Sequence, residues 1–448
     1  MLALAAMAAL ALAPGAAHAA PQSLRVDGAR VADDRGGTVL LRGTALIRKS
    51  RPGLPTVGEA DWQRMRELGF NTIRLGTAWG FIEPRRGGYD ADYLDALASV
   101  ARDAMDHGLY VIVDMHQDVW GPPLGNGAAE WTVYPECEPL AGVNLAALTG
   151  VWSLNYLAPW TFCQFTRFWD DPALQQHLAG AWREIARRLG DEPRLAGYDL
   201  LNEPFQGFHP PGEFETRVLY PFYDRLADAI RSEDADAIVF EEPANSKNVH
   251  LPTAPSLTPR EGAVYAPHVY GLWDASDAFT RRDELIAANM AYSGLEARVM
   301  GTPLWYGEFG MRRGAPDAEA SLTQIYDIAD SLRAGTSYWE WSRDPYGPML
   351  PDGSLDPVRA LTLSRAYPSR TAGELLSFSF DAASGALSMR WRQRDGTGST
   401  EIVLPPRRYP AGFDVVAGED VRWRFEPGRH LLVVDAPAGE RELRVVAR

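Results

Sequence analysis

The chain of 448 residues is 46% hydrophobic and 23% charged, with a formal net charge of −15 at pH 7. That composition excludes a mostly disordered, collagen-like or coiled-coil chain. Its acidic balance speaks against nucleic acid or an anionic membrane surface as the principal partner, because both attract basic patches. The length suits one large α/β barrel with a small second domain, or two or three average domains.

In chain order, residues 1–20 come first. They are apolar and small, are interrupted by Pro14-Gly15, and end in Ala17-His18-Ala19, an A-x-A-like cleavage site. The stretch is too short and too broken for a membrane-spanning helix. It reads as a secretory signal, despite lacking a Lys or Arg near its start, so a secreted protein is expected. The two cysteines, Cys137 and Cys163, fit either one disulfide in an oxidising compartment or two buried thiols.

From about residue 39 to 342 one theme repeats: a short apolar, β-branched run, a polar loop, then a helical pattern. The runs are Val39–Leu46, Thr72–Gly76, Tyr110–Met115, Gly197–Asn202, Ile238–Glu242, Val264–Tyr270, Leu304–Glu308 and Ser337–Trp341. Amphipathic segments lie between them, such as Glu59–Leu68, Ala91–His107 before Gly108, and Pro172–Leu189 before Gly190. Near-continuous apolar strands alternating with helices imply parallel strands buried on both faces. Eight such units predict an α/β fold of the (β/α)8 TIM-barrel type over residues 21–368. No G-x-G-x-x-G follows the first strand, which counts against a dinucleotide-binding sheet.

Beyond Pro368 the pattern changes. Leu375–Phe380, Leu387–Trp391, Glu401–Leu404, Val421–Phe425, His430–Val434 and Glu442–Val446 are short strand-like runs separated by turn signals. They predict an antiparallel β-sandwich over residues 369–448, packed against the barrel because no long linker intervenes. From Thr371 onward acidic and basic residues balance, so the whole charge excess lies upstream.

Functional side chains of parallel barrels sit at the carboxyl ends of strands. Those ends carry Arg74, His116 with Asp118, Asn202-Glu203, Glu242, His268 with Tyr270, Glu308, and Trp339 with Trp341. Glu203 and Glu308 each follow a run that must be buried. Two carboxylates facing one another across a pocket are what glycoside cleavage requires: one protonates the departing oxygen while the other attacks the anomeric carbon or activates water there. Structural ion pairs also place Glu at strand ends, so neither residue alone is diagnostic. The joint pattern, with Asn202 before Glu203 and aromatics flanking both, is more specific. Glu242, followed by Pro243, reads as structural.

Asn202-Glu203-Pro204 on the fourth strand and Glu308 on the seventh resemble the clan of (β/α)8 retaining glycosidases. With Arg74, His116, His268-Val269-Tyr270 and Trp339, the chain is similar to glycoside hydrolase family five over roughly residues 25–345. Asp114-Met115-His116-Gln117-Asp118, Arg48-Lys49 and the C-terminal sandwich resemble in particular its endoglycoceramidase group, which releases intact oligosaccharide from glycosphingolipids. Val119–Pro123 and the long Gly125–Phe168 insertion depart from that pattern.

The resemblance implies Glu203 as general acid/base and Glu308 as nucleophile, with carboxyl groups about 5–5.5 Å apart and retention of configuration. An acid must hold its proton, so Glu203 is expected in the more apolar surroundings or within the field of Glu308. Arg74 and His268 would support catalysis, Arg74 by keeping Glu308 ionised. Lys49, His116, Asp118, Asn202, Tyr270 and Trp339 would bind substrate, with Trp341 a rival to Trp339. On the sugar side one tryptophan of the insertion, Trp131, Trp152 or Trp160, is expected to join them, with Trp152 favoured. A glycosphingolipid, glycan plus ceramide, would be the substrate. Its lipid side would be lined by Phe81, Trp120, Phe205, Phe208, Leu272, Trp273 and Phe279. A monomer making transient contact with a micelle or membrane surface is expected, with no cofactor and no nucleic acid.

Rival readings keep the fold and change the role. One is a β-glucan or mannan endoglycosidase; another is a carbohydrate-binding barrel without catalysis. His116-x-Asp118 with His268 also suggests a metal site, against which stands the lack of tight helical ligand spacing. A serine hydrolase fails because no G-x-S-x-G is present.

Overall fold

The computed structural model describes residues 23–270 and 283–448. The leader reading and the Leu272, Trp273 and Phe279 assignments lie outside the described residues. Three short strands, β1 (Leu24–Asp27), β2 (Arg30–Asp33) and β3 (Thr38–Val39), precede the barrel. Its eight strands are β4 (Arg42–Leu46), β5 (Thr72–Thr77), β6 (Tyr110–Met115), β7 (Leu195–Asp199), β8 (Val239–Glu241), β9 (Ala263–Tyr265), β10 (Trp305–Phe309) and β11 (Gly335–Tyr338). They run parallel in the order β10-β11-β4-β5-β6-β7-β8-β9. Parallel bridges Tyr265–Leu304 and Val269–Phe309 join β9 to β10 and close the barrel.

Every residue of β4, β5, β6 and β10 is buried, as strands covered on both faces must be. The helices around them start where short polar side chains can cap them. Asp90 accepts from the Tyr93 N–H ahead of helix Ala91–Asp106, and Asp171 does the same for Leu174 ahead of Pro172–Leu189. Among the described residues no helix is long and apolar enough to cross a membrane.

After the barrel come β12 (Tyr367–Thr371), β13 (Gly373–Asp381), β14 (Ala386–Gln393), β15 (Thr400–Val403), β16 (Phe413–Ala417), β17 (Arg422–Glu426), β18 (Leu431–Asp435) and β19 (Gly439–Ala447). They form two antiparallel sheets around one core that includes Phe378, Trp391, Leu432 and Val445. The four-stranded sheet runs β13-β14-β19-β16, whereas the larger runs β1-β2-β3-β12-β15-β18-β17. The run Val39–Leu46, read as one barrel strand, is therefore divided: β3 pairs antiparallel with β12 and only β4 enters the barrel. The seam is polar. Buried Arg42 of β4 pairs with Asp330 and covers the Tyr367 ring, and Arg365 also reaches Asp330, at 3.0 Å.

Candidate active site

The carboxyl ends of β5, β6, β7, β8 and β10 converge on one buried guanidinium. Arg74 of β5 lies 2.9 Å from Asp114 of β6, 2.7 Å from Asp199 of β7, 3.0 Å from Glu242 and 2.6 Å from Glu308 of β10. It also donates to the Asn202 side-chain oxygen at 2.9 Å. One cation among four buried carboxyl groups cannot keep them all charged. Burial pushes Asp199 well up and Glu242 up, despite Arg74. Burial opposes the charge on Glu308 too, yet His268, Arg74, His116 and Lys49 outweigh it and hold that carboxyl below its usual range. Glu308 also accepts from the Tyr270 hydroxyl at 2.8 Å. It is an anion surrounded by donors.

Glu203 stands opposite. One oxygen of Glu203, one of Glu308 and a ring nitrogen of His268 lie within 4.8 Å of one another. The apolar surroundings expected for Glu203 are not found: its oxygens meet His268 Nδ1 at 3.0 Å, the Asn248 amide at 2.7 Å and the Tyr156 hydroxyl at 3.3 Å. The expected proximity to Glu308 is present. Glu203 has φ of +46°, a left-handed conformation that costs a non-glycine residue about 1–3 kcal/mol. Its neighbours hold it there. The Gln117 amide donates to the Asn202 and Glu203 carbonyls at 2.6 and 3.1 Å, and the Glu203 N–H donates to Glu242 at 2.8 Å.

His268 lies between the pair, with Nδ1 3.0 Å from Glu203 and 3.6 Å from Glu308, and with Nε2 3.1 Å from Glu242. Burial disfavours its charge, but Glu242, Glu308 and Glu203 push its pKa well above the ordinary value. Gly307 makes room for the ring, since a Cβ there would lie 2.9 Å from His268 Nε2. Two clusters could in principle hold a cation, Glu203–His268–Glu308 and Asp114–Asp199–Glu242. The Arg74 guanidinium already serves the second, and a protonated His268 disfavours a cation in the first.

Beside the carboxylates lies a polar and aromatic wall. Lys49, after β4, reaches Asp118 at 2.6 Å and lies 4.8 Å from the Trp339 ring and 5.4 Å from Trp152. Trp339 stacks on His116 with centroids 5.6 Å apart and planes at 16°. His116 Nδ1 is 2.9 Å from Asp114. Trp341, the rival of Trp339, is buried and points its indole to Asp61. Glu340 adjoins the wall; burial pushes it up to about 7, against Lys49 and Arg48.

The glycosyl hydrolase family 5 cellulase profile matches residues 52–345. The chain belongs to glycosyl hydrolase family 5. The C-terminal domain profile of the same family matches residues 365–446. Within family 5, the chain is 30% identical to endoglycoceramidase I of Rhodococcus hoagii over 92% of its own length and 86% of that protein. The fold is similar to endo-glycoceramidase II of Rhodococcus sp. in its complex with ganglioside GM3, with a TM-score of 0.82, 29% identity, and 94% of this chain and 100% of that one covered. Another structure of that enzyme, a lactosyl-enzyme intermediate, matches with a TM-score of 0.79 at 30% identity, over 93% of this chain and 99% of that one.

In this family 5 barrel the residues singled out from sequence, Lys49, Arg74, His116, Asp118, Trp152, Asn202, Glu203, His268, Tyr270, Glu308 and Trp339, gather at one mouth. Asn202 is tied at both ends of its amide, to Arg74 and to the Gln117 carbonyl at 3.0 Å. Glu242, read as structural for want of a partner, has three: Arg74, His268 and the Glu203 N–H. Its place at the end of β8 was the available signal. Tyr156, Asn248 and Glu340 were missed. Tyr156 sits in the insertion and Asn248 in a loop, where no strand period marks a side chain as facing the pocket. Two of the residues assigned to the lipid side, Trp120 and Phe205, are buried, packing on Phe165 instead. Phe81 is half-buried beside Tyr93, whereas Phe208 is 71% exposed.

Proposed function

We propose that this protein is a retaining endo-β-glycosidase that hydrolyses the bond between oligosaccharide and ceramide in glycosphingolipids. The observation that carries the reaction type is the pair Glu203 and Glu308, with an oxygen of each within 4.8 Å of the other. That is closer than the roughly 6.5–9.5 Å that an inverting pair keeps and in line with the roughly 5–5.5 Å of a retaining pair. The substrate class rests on similarity to endoglycoceramidases along nearly the whole chain.

In the first step Glu308 attacks the anomeric carbon while Glu203 gives its proton to the departing ceramide oxygen. The glycosidic C–O bond breaks and a glycosyl ester forms on Glu308. In the second step Glu203 takes a proton from water, the water oxygen bonds to the anomeric carbon, and the ester bond returns its electrons to Glu308. Arg74, Tyr270 and His268 stabilise the Glu308 carboxylate that attacks and later departs. Asn202, fixed by Arg74 and the Gln117 carbonyl, has one amide N–H left to donate to a sugar hydroxyl. Lys49, His116, Asp118, Trp152 and Trp339 bind the glycan through hydroxyl contacts and ring stacking.

Exposed Leu148 and Leu157, on short helical turns of the insertion, and exposed Phe208 and Leu251, on loops after β7 and β8, favour transient contact with a lipid micelle or membrane surface. The apolar residues 1–20 and the Cys137–Cys163 disulfide support secretion.

Purified protein incubated with a glycolipid panel should release ceramide and intact oligosaccharide, read by mass spectrometry. Release from no member of the panel overturns the substrate assignment, and soluble β-glucan and mannan in parallel test the same barrel on polysaccharide. Glu308→Gly should lower turnover by about 10⁴-fold or more with the thermal transition retained.

A further inference from the structure

The two oxygens of Glu203 are not equivalent. Oε1 accepts from the Asn248 amide at 2.7 Å and lies 3.0 Å from His268 Nδ1. Oε2 meets the Tyr156 hydroxyl, at 3.3 Å. With N–H groups directed at Oε1, a hydrogen on that oxygen would oppose them, whereas a hydroxyl beside Oε2 can donate or accept.

The amide is held in place from two sides. Asn248 belongs to the short turn Asn245–Val249 after β8, whose Asn245 N–H donates to the Pro204 carbonyl at 2.9 Å, directly beside Glu203. Behind the turn, buried Lys247 pairs with Glu296 of helix Asp283–Met300 at 2.5 Å and lies 4.3 Å from the Tyr292 ring. Glu296 also accepts from Thr253 at 2.6 Å and Tyr265 at 2.8 Å, and the Asn289 amide donates to the Lys247 carbonyl at 3.1 Å. Lys49 and Lys247 are the chain's two lysines, and Lys247 lies outside the glycan wall as an anchor for this turn. Nothing in the chemistry above uses these groups.

We propose that Asn248 is a positioning residue that confines the transferable proton of Glu203 to Oε2, with the Lys247–Glu296 pair as the anchor of its turn. The inference rests on the reading of Glu203 as the acid. In the first step the Oε2 proton passes to the departing oxygen, which keeps the electron pair of the broken bond. The charge left on Glu203 is then shared with Oε1, where two N–H groups already wait. In the second step the proton from water returns to Oε2.

The test separates proton delivery from binding and folding. Asn248→Ala and the near-isosteric Asn248→Asp are compared with the wild-type protein on an unactivated β-glycoside that the wild-type cleaves and on a dinitrophenyl β-glycoside of the same glycan. The aryl leaving group departs without a proton. Both variants should lose about 10- to 100-fold in kcat on the unactivated substrate, a part of the full worth of a general acid. The pre-steady-state burst of dinitrophenolate should stay within about threefold of wild type, because that step needs no acid. Equal losses on both substrates, or none on either, would overturn the assignment. Because the comparison uses whatever unactivated glycoside is cleaved, inertness toward glycolipids would count against the substrate reading alone.

Discussion

Arg74 faces Asp114, Asp199, Glu242 and Glu308 with no access to solvent, and the consequences of that crowding spread through the site. Its charge is insufficient for four carboxylates, so His268 and His116 are drawn into the cationic form. Burial opposes the charge of His116, but Asp114 and Asp118 dominate and push it up to about 9. A histidine whose folded pKa is raised stabilises the fold fully below its unfolded value of 6.5, and that stabilisation is lost as the pH rises through about 9. Denaturant midpoints measured between pH 6 and 10 should fall across this window in the wild-type protein. His116→Gln should flatten the fall, and an unchanged slope would exclude His116 as its source. Arg74, Glu242 and Glu308 were legible in sequence because strand ends announce themselves, whereas Asp199 was not singled out and Asp114 entered only within the Asp114–Asp118 motif. Glu242, read as structural, is held by partners from β5, the loop after β9 and the Glu203 backbone, which no local pattern connects.

At the scale of elements, the 125–168 insertion is the part of the mouth least visible beforehand. It folds into short helical turns and the helix Pro159–Trp169, which buries Trp160, Phe165, Phe168 and Trp169. Its aromatic content was plain, but whether those rings would face a ligand or each other depends on packing that periodicity does not encode. The segment carries Trp152 to the Lys49 side of the cleft and Tyr156 to Glu203. The Cys137–Cys163 disulfide, one of two alternatives open from sequence, closes a loop with a separation of 26 residues around both. By chain entropy such a loop is worth about 3 kcal/mol. Mild reduction, or Cys137→Ser with Cys163→Ser, should therefore loosen the insertion ahead of the barrel. Activity should fall at temperatures where far-ultraviolet circular dichroism is still native; simultaneous loss of both signals would contradict this order.

For the whole molecule, the barrel and sandwich were readable as a change in pattern near Pro368, and the eight expected runs overlap the eight barrel strands. What sequence reading could not supply is the joining of β1, β2 and β3 to the far sheet, since antiparallel pairing at a separation of hundreds of residues leaves no local trace. Asp33 lies 337 residues from Arg370, with which it forms a buried ion pair. Its other oxygen caps the turn before β3 through the Gly37 N–H at 2.7 Å. Removing residues 1–39 should expose the β12 edge, leave Arg370 uncompensated and destabilise the protein by several kcal/mol, about 3–5 from the broken ion pair alone. Size-exclusion chromatography should then show aggregation, and a monomeric, fully active truncated protein would refute this.

The same pairing has a temporal side. A ribosome adding roughly 5–20 residues per second delivers β12 some 20–60 seconds after β3. Throughout that interval three nascent strands wait with an open edge while an entire barrel is built between them and their mate. Closure of the larger sheet thus comes late in synthesis, and a newborn molecule cut short before residue 367 would lack both β12 and the Tyr367 ring that Arg42 covers.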